Sequence, residues 1–410
     1  MVNEHPHVTG QLFNNKERRL LIFTGISHAI SDAWYLIYPA LLFLIAVDYG
    51  DFLFLGIVAN VMIATRGVSG VISGFLADHY SNKALYGTFA IVSSLGCLLV
   101  YFSTNEIMLV LAFAILGFGT GIYHPVGLSG ITRFISEKTR ALGIHEAAGC
   151  FGLSLFPVLL MTIGITFGWR YAFLCAALVS LLPVLLLPIV QEEHDKPSKH
   201  IVNKHDGLTQ TKLVLKTFTN KSILLIYLLI VLLEGSAMGL DTFIPIAIAD
   251  IGGLGETKVI GLSITGLFVS FMILGGVPGS LYGGLIGTKL GIYRALNVAL
   301  IISIPLLILL AFVSGNWFLA LMPILRGSTN MRAPILNSLI SRNLPNDMQG
   351  KGFALMYGIA PIVGSFIALA AGAIAKFYGL NWVFPMAAIL LIIALPLINL
   401  GKSWSNAPKQ

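Results

Sequence analysis

QEEHDKPSKHIVNKHDGLTQTKLVLKTFTNK, residues 191–221, is the longest polar interruption in a chain that is otherwise mostly apolar. Working outward from it, runs of about 17–25 apolar residues, the length that spans a bilayer as a helix, recur on both sides. Before it they lie near 20–47, 52–76, 84–103, 107–132, 141–166 and 170–190. After it they lie near 222–249, 258–286, 292–314, 317–341, 352–377 and 381–400. The pattern predicts an all-α integral membrane protein of twelve transmembrane helices in two six-helix halves. Residues 1–19 form an N-terminal tail, 20–190 the first half, 191–221 a linker, 222–400 the second half and 401–410 a C-terminal tail.

Composition points the same way. Hydrophobic residues make up 56% of the 410, charged residues 10%, and the mean hydropathy is +0.87. A soluble domain carries roughly a quarter charged residues to solvate its surface. This chain has too few, so lipid is its main solvent. The net charge of +7 is a topology signal. Nineteen lysines and arginines, among them Lys16, Arg140, Lys199 and Lys289, fall on the side of the termini and linker, against only Arg170, Lys258 and Lys376 on the other. Basic loops mark the cytoplasmic side. Both termini are expected there, in a multi-pass protein of a cell membrane, with the bacterial inner membrane the expected one. No nucleic-acid partner is needed to explain the charge. The polar N-terminus and long first run do not read as a cleavable signal peptide. Cys97, Cys150 and Cys175 have neither disulfide nor metal-ligand spacing and read as small buried hydrophobes.

The halves repeat at a fixed offset of 209 residues. Asp32 aligns with Asp241, Gly74 with Gly283, Thr120 with Thr329, Pro125 with Pro334, and Arg133 with Arg342. Such a repeat predicts parallel halves related by an axis along the membrane normal, with the substrate site between them.

Ionisable groups within the spans are costly unless they face a wet cavity or a partner. His28 and Asp32 are four apart and share a helix face. They can exchange a proton or form a static pair. Asp241 and Glu234 join them as candidate proton-coupling residues. Arg66, Arg326 and Arg332 are permanently charged and suit a carboxylate or phosphate; equally, they can neutralise Asp32, Glu234 and Asp241. Arg326, at mid-span, is the first choice for binding an anion. Tyr35, Tyr38, Tyr123, His124, Asn330 and Asn337 are further candidate substrate-binding residues. Pro125, after Tyr123 and His124, is expected to interrupt the fourth span, as Pro334 does the tenth. His145-Glu146 reads as a cytoplasmic gate pair or as an interfacial salt bridge. No metal ligand set and no cofactor motif is present; there is neither a phosphate-cradling glycine-lysine loop nor a His-Glu-x-x-His, so an ATP-driven pump and a membrane-bound enzyme are not expected.

Two motifs carry a family resemblance. Gly74-Phe75-Leu76-Ala77-Asp78-His79-Tyr80-Ser81-Asn82-Lys83, after the second span, resembles the loop motif of the major facilitator superfamily, matching it at Gly74, Asp78 and Lys83. Gly168-Trp169-Arg170-Tyr171-Ala172-Phe173, opening the sixth span, is similar to another signature of that superfamily and is echoed at Gly379-Leu380-Asn381-Trp382. Trp169 and Trp382 are expected at the outer interface. Gly25-Ile26-Ser27-His28-Ala29-Ile30-Ser31-Asp32 and Gly121-Ile122-Tyr123-His124-Pro125 resemble the fosmidomycin-resistance-like exporters; Val126 departs from that pattern, and the proline-and-glycine antiporter signature of the fifth span is missing. The resemblance implies the major facilitator fold and a gate role for Asp78. The expected function is secondary active transport, proton-coupled, of a small or medium organic anion (drug, metabolite or chelate) by a monomer, with export favoured. The alternatives are an importer of the same fold and, from another class, a lipid flippase or a non-transporting receptor.

Overall fold

The computed structural model describes residues 13–77, 80–136, 138–190, 220–343 and 349–405. The first span, Asn15–Tyr49, begins where the Asn14 side chain accepts from the backbone N–H groups of Lys16 and Glu17 while Glu17 accepts from Asn14 N–H. This reciprocal box satisfies donors that a helix start leaves open. The span ends at Gly50, whose φ of 53° suits a residue without a Cβ. Asp51 then caps the second span, Phe52–Leu76. The first half continues with Asn82–Phe102, Glu106–Phe134, Lys138–Phe167 and a sixth span that runs from Trp169 to Ile189. The second half holds Lys221–Asp250, Ile264–Leu290, Ile292–Leu310, a tenth span in two pieces, Gln349–Tyr378 and Val383–Ser405. Eleven of these are apolar and long enough to cross a membrane, the sixth with a turn at Leu181. The tenth is divided at Met331 into Gly315–Asn330 and Arg332–Asn343.

That division corrects one expectation. The fourth span is a single helix through Pro125, and the tenth breaks before Pro334, not at it. Pro334 lies in the first turn of the piece that follows, where its missing N–H would have no helical partner anyway. The two prolines align in sequence but do different things to their helices.

Burial sorts the spans. In its most apolar window the first span is 78% buried and the sixth only 33%. The first therefore runs through the centre and the sixth presents most of its surface to lipid. Outside the helices the described residues form only the hairpin Lys258–Val259 and Leu262–Ser263, on the face opposite the termini.

The halves meet along two seams of small residues. In the second and eleventh spans, Gly56 and Gly372 pack backbone against backbone; in the fifth and eighth, Gly266 lies on Val158 and Pro157. Small residues permit this approach where lipid offers no hydrophobic drive to associate. Polar ties cluster on the face opposite the termini. Lys376 Nζ donates to Asp51 Oδ2 at 2.7 Å, Lys258 Nζ to Thr166 Oγ1 at 2.8 Å, and Ser263 N–H to Thr162 Oγ1 at 2.9 Å. The hydrogen bond from Lys376 holds the Asp51 carboxyl below the usual carboxylate range. Within the first half, Asp48 accepts from Trp169 Nε1 and Arg170 Nη1 at 2.9 and 2.8 Å. Trp169, at the start of the sixth span, is consequently buried against the first span, whereas Trp382 is exposed.

Candidate functional site

The first-half site is assembled from four spans. His28 and Asp32 stand one turn apart on the first. The fourth brings Gly117 and Gly121, where a Cβ would run into the second span's backbone at Met62 and Arg66. This close contact delivers Arg66 beside His124. The fifth span covers the pair with Gly149, where a Cβ would lie 2.6 Å from His28 Cε1 and 2.7 Å from Asp32 Oδ2. Only a glycine leaves that space.

Hydrogen-bond bookkeeping then fixes protons. His28 Nδ1 lies 2.8 Å from the carbonyl oxygen of His145. A carbonyl only accepts, so Nδ1 carries a hydrogen. The other nitrogen, Nε2, faces Asp32 Oδ2 at 3.2 Å. Two lone pairs would repel at that distance, so the contact holds one proton, shared as imidazolium and carboxylate or as imidazole and carboxylic acid. His124 Nε2 has two suitors, Arg66 Nη2 at 2.7 Å and Asp32 Oδ1 at 3.1 Å. As an acceptor it satisfies Arg66 and opposes the carboxylate; as a donor it does the reverse. Arg66 also reaches the Ser31 carbonyl at 3.4 Å and lies over the Tyr35 ring.

His28, Asp32 and His124 place their ligand-type atoms within 4.8 Å of one another. The Arg66 guanidinium, 3.6 Å from Asp32 Oδ1, already supplies the positive charge there. A metal cation does not fit this cluster as it stands.

The second-half site is sparser. Asp241 on the seventh span accepts from Arg326 Nη1 on the tenth at 2.7 Å. By the 209 offset Ala237 stands in the place of His28, and Arg326 in the place of Gly117, while the position matching Arg66 is Gly275. Both halves thus pair an aspartate with an arginine, but the arginines come from different helices of the repeat. Asp241 borders two small cavities. One lies between the halves, against Tyr35, Tyr38 and Met62; the other lies within the second half, against Arg326, Thr329 and a wall that includes Met272 and Met322.

Other expected residues take varied places. Tyr38 lines the inter-half cavity while its hydroxyl donates to the Leu55 carbonyl. Tyr123 is buried in its own half, donating to the Thr24 carbonyl. Arg332 is 1% exposed and lies behind the cavity, donating to Thr329 O and Ser236 Oγ. Glu234 is half-buried and feels the charges of Arg332, Asp241 and Arg326. Asn330 lies against Gly276, and Asn337 Oδ1 is buried without a partner. His145 is fully buried and stacks on His28 at 4.0 Å, both ring nitrogens unpartnered, whereas Glu146 is exposed. Adjacent residues on a helix point apart, so His145 faces His28 while Glu146 faces outward. Asp78 lies outside the described residues. Of the cysteines only Cys97 is buried; Cys150 and Cys175 are exposed. Sequence reading passed over Gly149, Thr329 and the two methionines. Thr329 had a signal in its repeat partner Thr120; glycine and methionine are too common in the spans to stand out.

The chain matches the model of the Major Facilitator Superfamily over residues 23–368. Among curated relatives, it is 24% identical over 335 residues to the sialic acid transporter NanX of Escherichia coli K12, covering 79% of each chain. It is 22% identical to the multidrug resistance protein MdtG of Enterobacter lignolyticus, over 82% of this chain and 79% of that one. Among solved structures, a bacterial homologue of the human lysosomal transporter Spinster, inward-facing and occupied, superposes with a TM-score of 0.76 at 15% identity, covering 95% of this chain and 97% of the other. The inward-open xylose transporter XylE of E. coli gives 0.73 at 13%, covering 96% and 97%. With the family match spanning most of its spans and the two-halved helical fold shared with these transporters, the chain belongs to the Major Facilitator Superfamily and is a multi-pass membrane transporter, not an enzyme.

Proposed function

We propose that the chain is a proton-coupled secondary transporter of a small or medium organic anion, working by alternating access between its halves. The observation that carries this reading is the contact between His28 Nε2 and Asp32 Oδ2, which needs one proton to exist. Removing that proton sets two lone pairs against each other and breaks the contact. Asp32 then turns to its other partners, Arg66 and His124. When the proton returns, Asp32 makes less demand on Arg66, and the guanidinium is released toward an anion in the centre. Proton occupancy and anion affinity are thereby linked through one side chain.

The basic loops support cytoplasmic termini in the bacterial inner membrane. Export is the direction we assign first, on the multidrug resistance relatives and the resemblance to fosmidomycin-resistance-like exporters. Uptake is the second reading; NanX, a relative named as a sialic acid transporter, supports an organic-acid cargo in either direction. Asp78 keeps its proposed role at the cytoplasmic gate.

The test is D32N in proteoliposomes, with a cargo drawn from a thermal-shift screen of carboxylates, phosphonates, siderophores and drugs. The variant is expected to lose accumulation driven by a proton gradient while substrate counterflow survives. Normal gradient-driven accumulation would remove Asp32 from the coupling role.

A further inference from the structure

Asp241 and Arg326 meet through one hydrogen bond, Nη1 to Oδ1 at 2.7 Å. An arginine and a carboxylate that fully satisfy each other form two parallel bonds. Here Arg326 Nε is buried with no partner. Asp241 Oδ2 takes no hydrogen bond from any described residue. Asp32, by contrast, has both oxygens engaged. Arg326 therefore keeps an unpaired donor and Asp241 an unpaired acceptor, on two side chains joined by the bond between Nη1 and Oδ1. Both border the cavity within the second half, whose remaining walls are largely apolar: Leu240, Ile244, Met272, Met322 and Leu325.

A ligand that completes this pair must bring an acceptor for Arg326 and a donor for Asp241, close together on an otherwise apolar body. We propose that Asp241–Arg326 recognises a carboxylate whose neighbouring carbon bears a hydroxyl or an ammonium group. The carboxylate takes the open donors of Arg326, and the hydroxyl or ammonium donates to Asp241 Oδ2. The aliphatic or aromatic remainder packs against the two methionines, whose unbranched side chains adapt to varied shapes. A plain carboxylic acid satisfies Arg326 but leaves Oδ2 dry and unpaired, and is discriminated against for that reason. The proposal rests on the reading of the centre as an anion site and narrows its cargo.

The probes are leucine, its hydroxy analogue leucic acid, and isocaproic acid, which share one carbon skeleton. Their binding to the purified full-length protein in detergent is measured by calorimetry or thermal shift, with no gradient present. Leucic acid or leucine is expected to bind about tenfold or more tighter than isocaproic acid, the scale of one hydrogen bond to a charged group. Which of the two is preferred tells hydroxyl from ammonium. In D241N the preference disappears, and all three bind as isocaproic acid does. Equal binding of the three, no binding of any at millimolar concentration, or a preference that survives in D241N overturns the assignment. Where D241N does not fold, the wild-type series decides alone. Because the readout is equilibrium binding, it does not depend on the outcome of the D32N transport assay.

Discussion

Asp32 and Asp241 occupy the same place in the two halves and are furnished for different work. Around Asp32 the protein supplies two histidines and an arginine, and every carboxylate oxygen has a protein partner. Around Asp241 it supplies one arginine and leaves a donor and an acceptor open beside a cavity. His28 has become Ala237 in the repeat, and His124 has become Ala333. A site whose valences the protein fills can respond to a proton; a site left half filled can respond to a ligand. The repeat places an acid at the same position in each half, and the proposed proton and ligand roles follow from the different residues around each.

The sharpest way to break this contrast is to neutralise each acid in turn. D32N is expected to flatten the pH dependence of transport altogether. D241N is expected to keep that dependence and to weaken cargo binding by about ten- to a hundredfold, as loss of a charged hydrogen-bond partner does. Transport rates against pH, measured beside equilibrium affinity for both variants, test the division. Identical profiles for the two would show that the acids do one job together.

A smaller effect separates the sites through the fifth and eleventh spans. Gly149 has its repeat partner at Gly358, yet the first lies on the His28–Asp32 pair and the second on Val71 and Gly67 of the opposite half. G149A is expected to cost about 1–3 kcal/mol through overpacking and to blunt the pH response. G358A is expected to cost a comparable amount while leaving the pH response intact, because it disturbs a seam and no proton. Thermal unfolding with a pH–rate profile distinguishes the two, and an unaltered profile in G149A would sink the claim that this glycine holds the pair in register.

Much of the site could be read before any coordinates. The His28–Asp32 spacing puts both groups on one helix face, and the single offset aligns Asp32 with Asp241. What could not be read is who pairs with whom. Arg66 and Arg326 do not sit at matching positions, since the chain has Gly275 and Gly117 there. The equivalence of the two ion pairs exists only after the second and tenth helices have packed. The mistaken break at Pro125 has a similar origin. A proline removes one helical bond, but neighbouring helices can carry the segment through, and a single sequence does not show those neighbours. Residue type places Trp169 at the end of its span but does not reveal its partner there, Asp48, 121 residues away.

The smallest expected effect serves as the control on the comparison. Lys376–Asp51 ties the halves on the face opposite the termini, with both side chains more than a third exposed. Such a pair contributes about 0–1 kcal/mol and is screened by salt. Its sign with pH follows from the depressed Asp51 carboxyl. A folded-state value below the unfolded one, about 3.9, makes the contribution fully present above that pH and lost as pH falls through the lower folded value. Near neutral pH it is therefore constant. D51N removes it at all pH values and should shift the halves modestly toward opening on that face, read as a broadened spin-label distance distribution between the second and eleventh spans. Neither the pH profile set by Asp32 nor the ligand preference set by Asp241 should move. If either does, the difference between the two acids is one of conformational state, and the division of labour drawn from their surroundings fails.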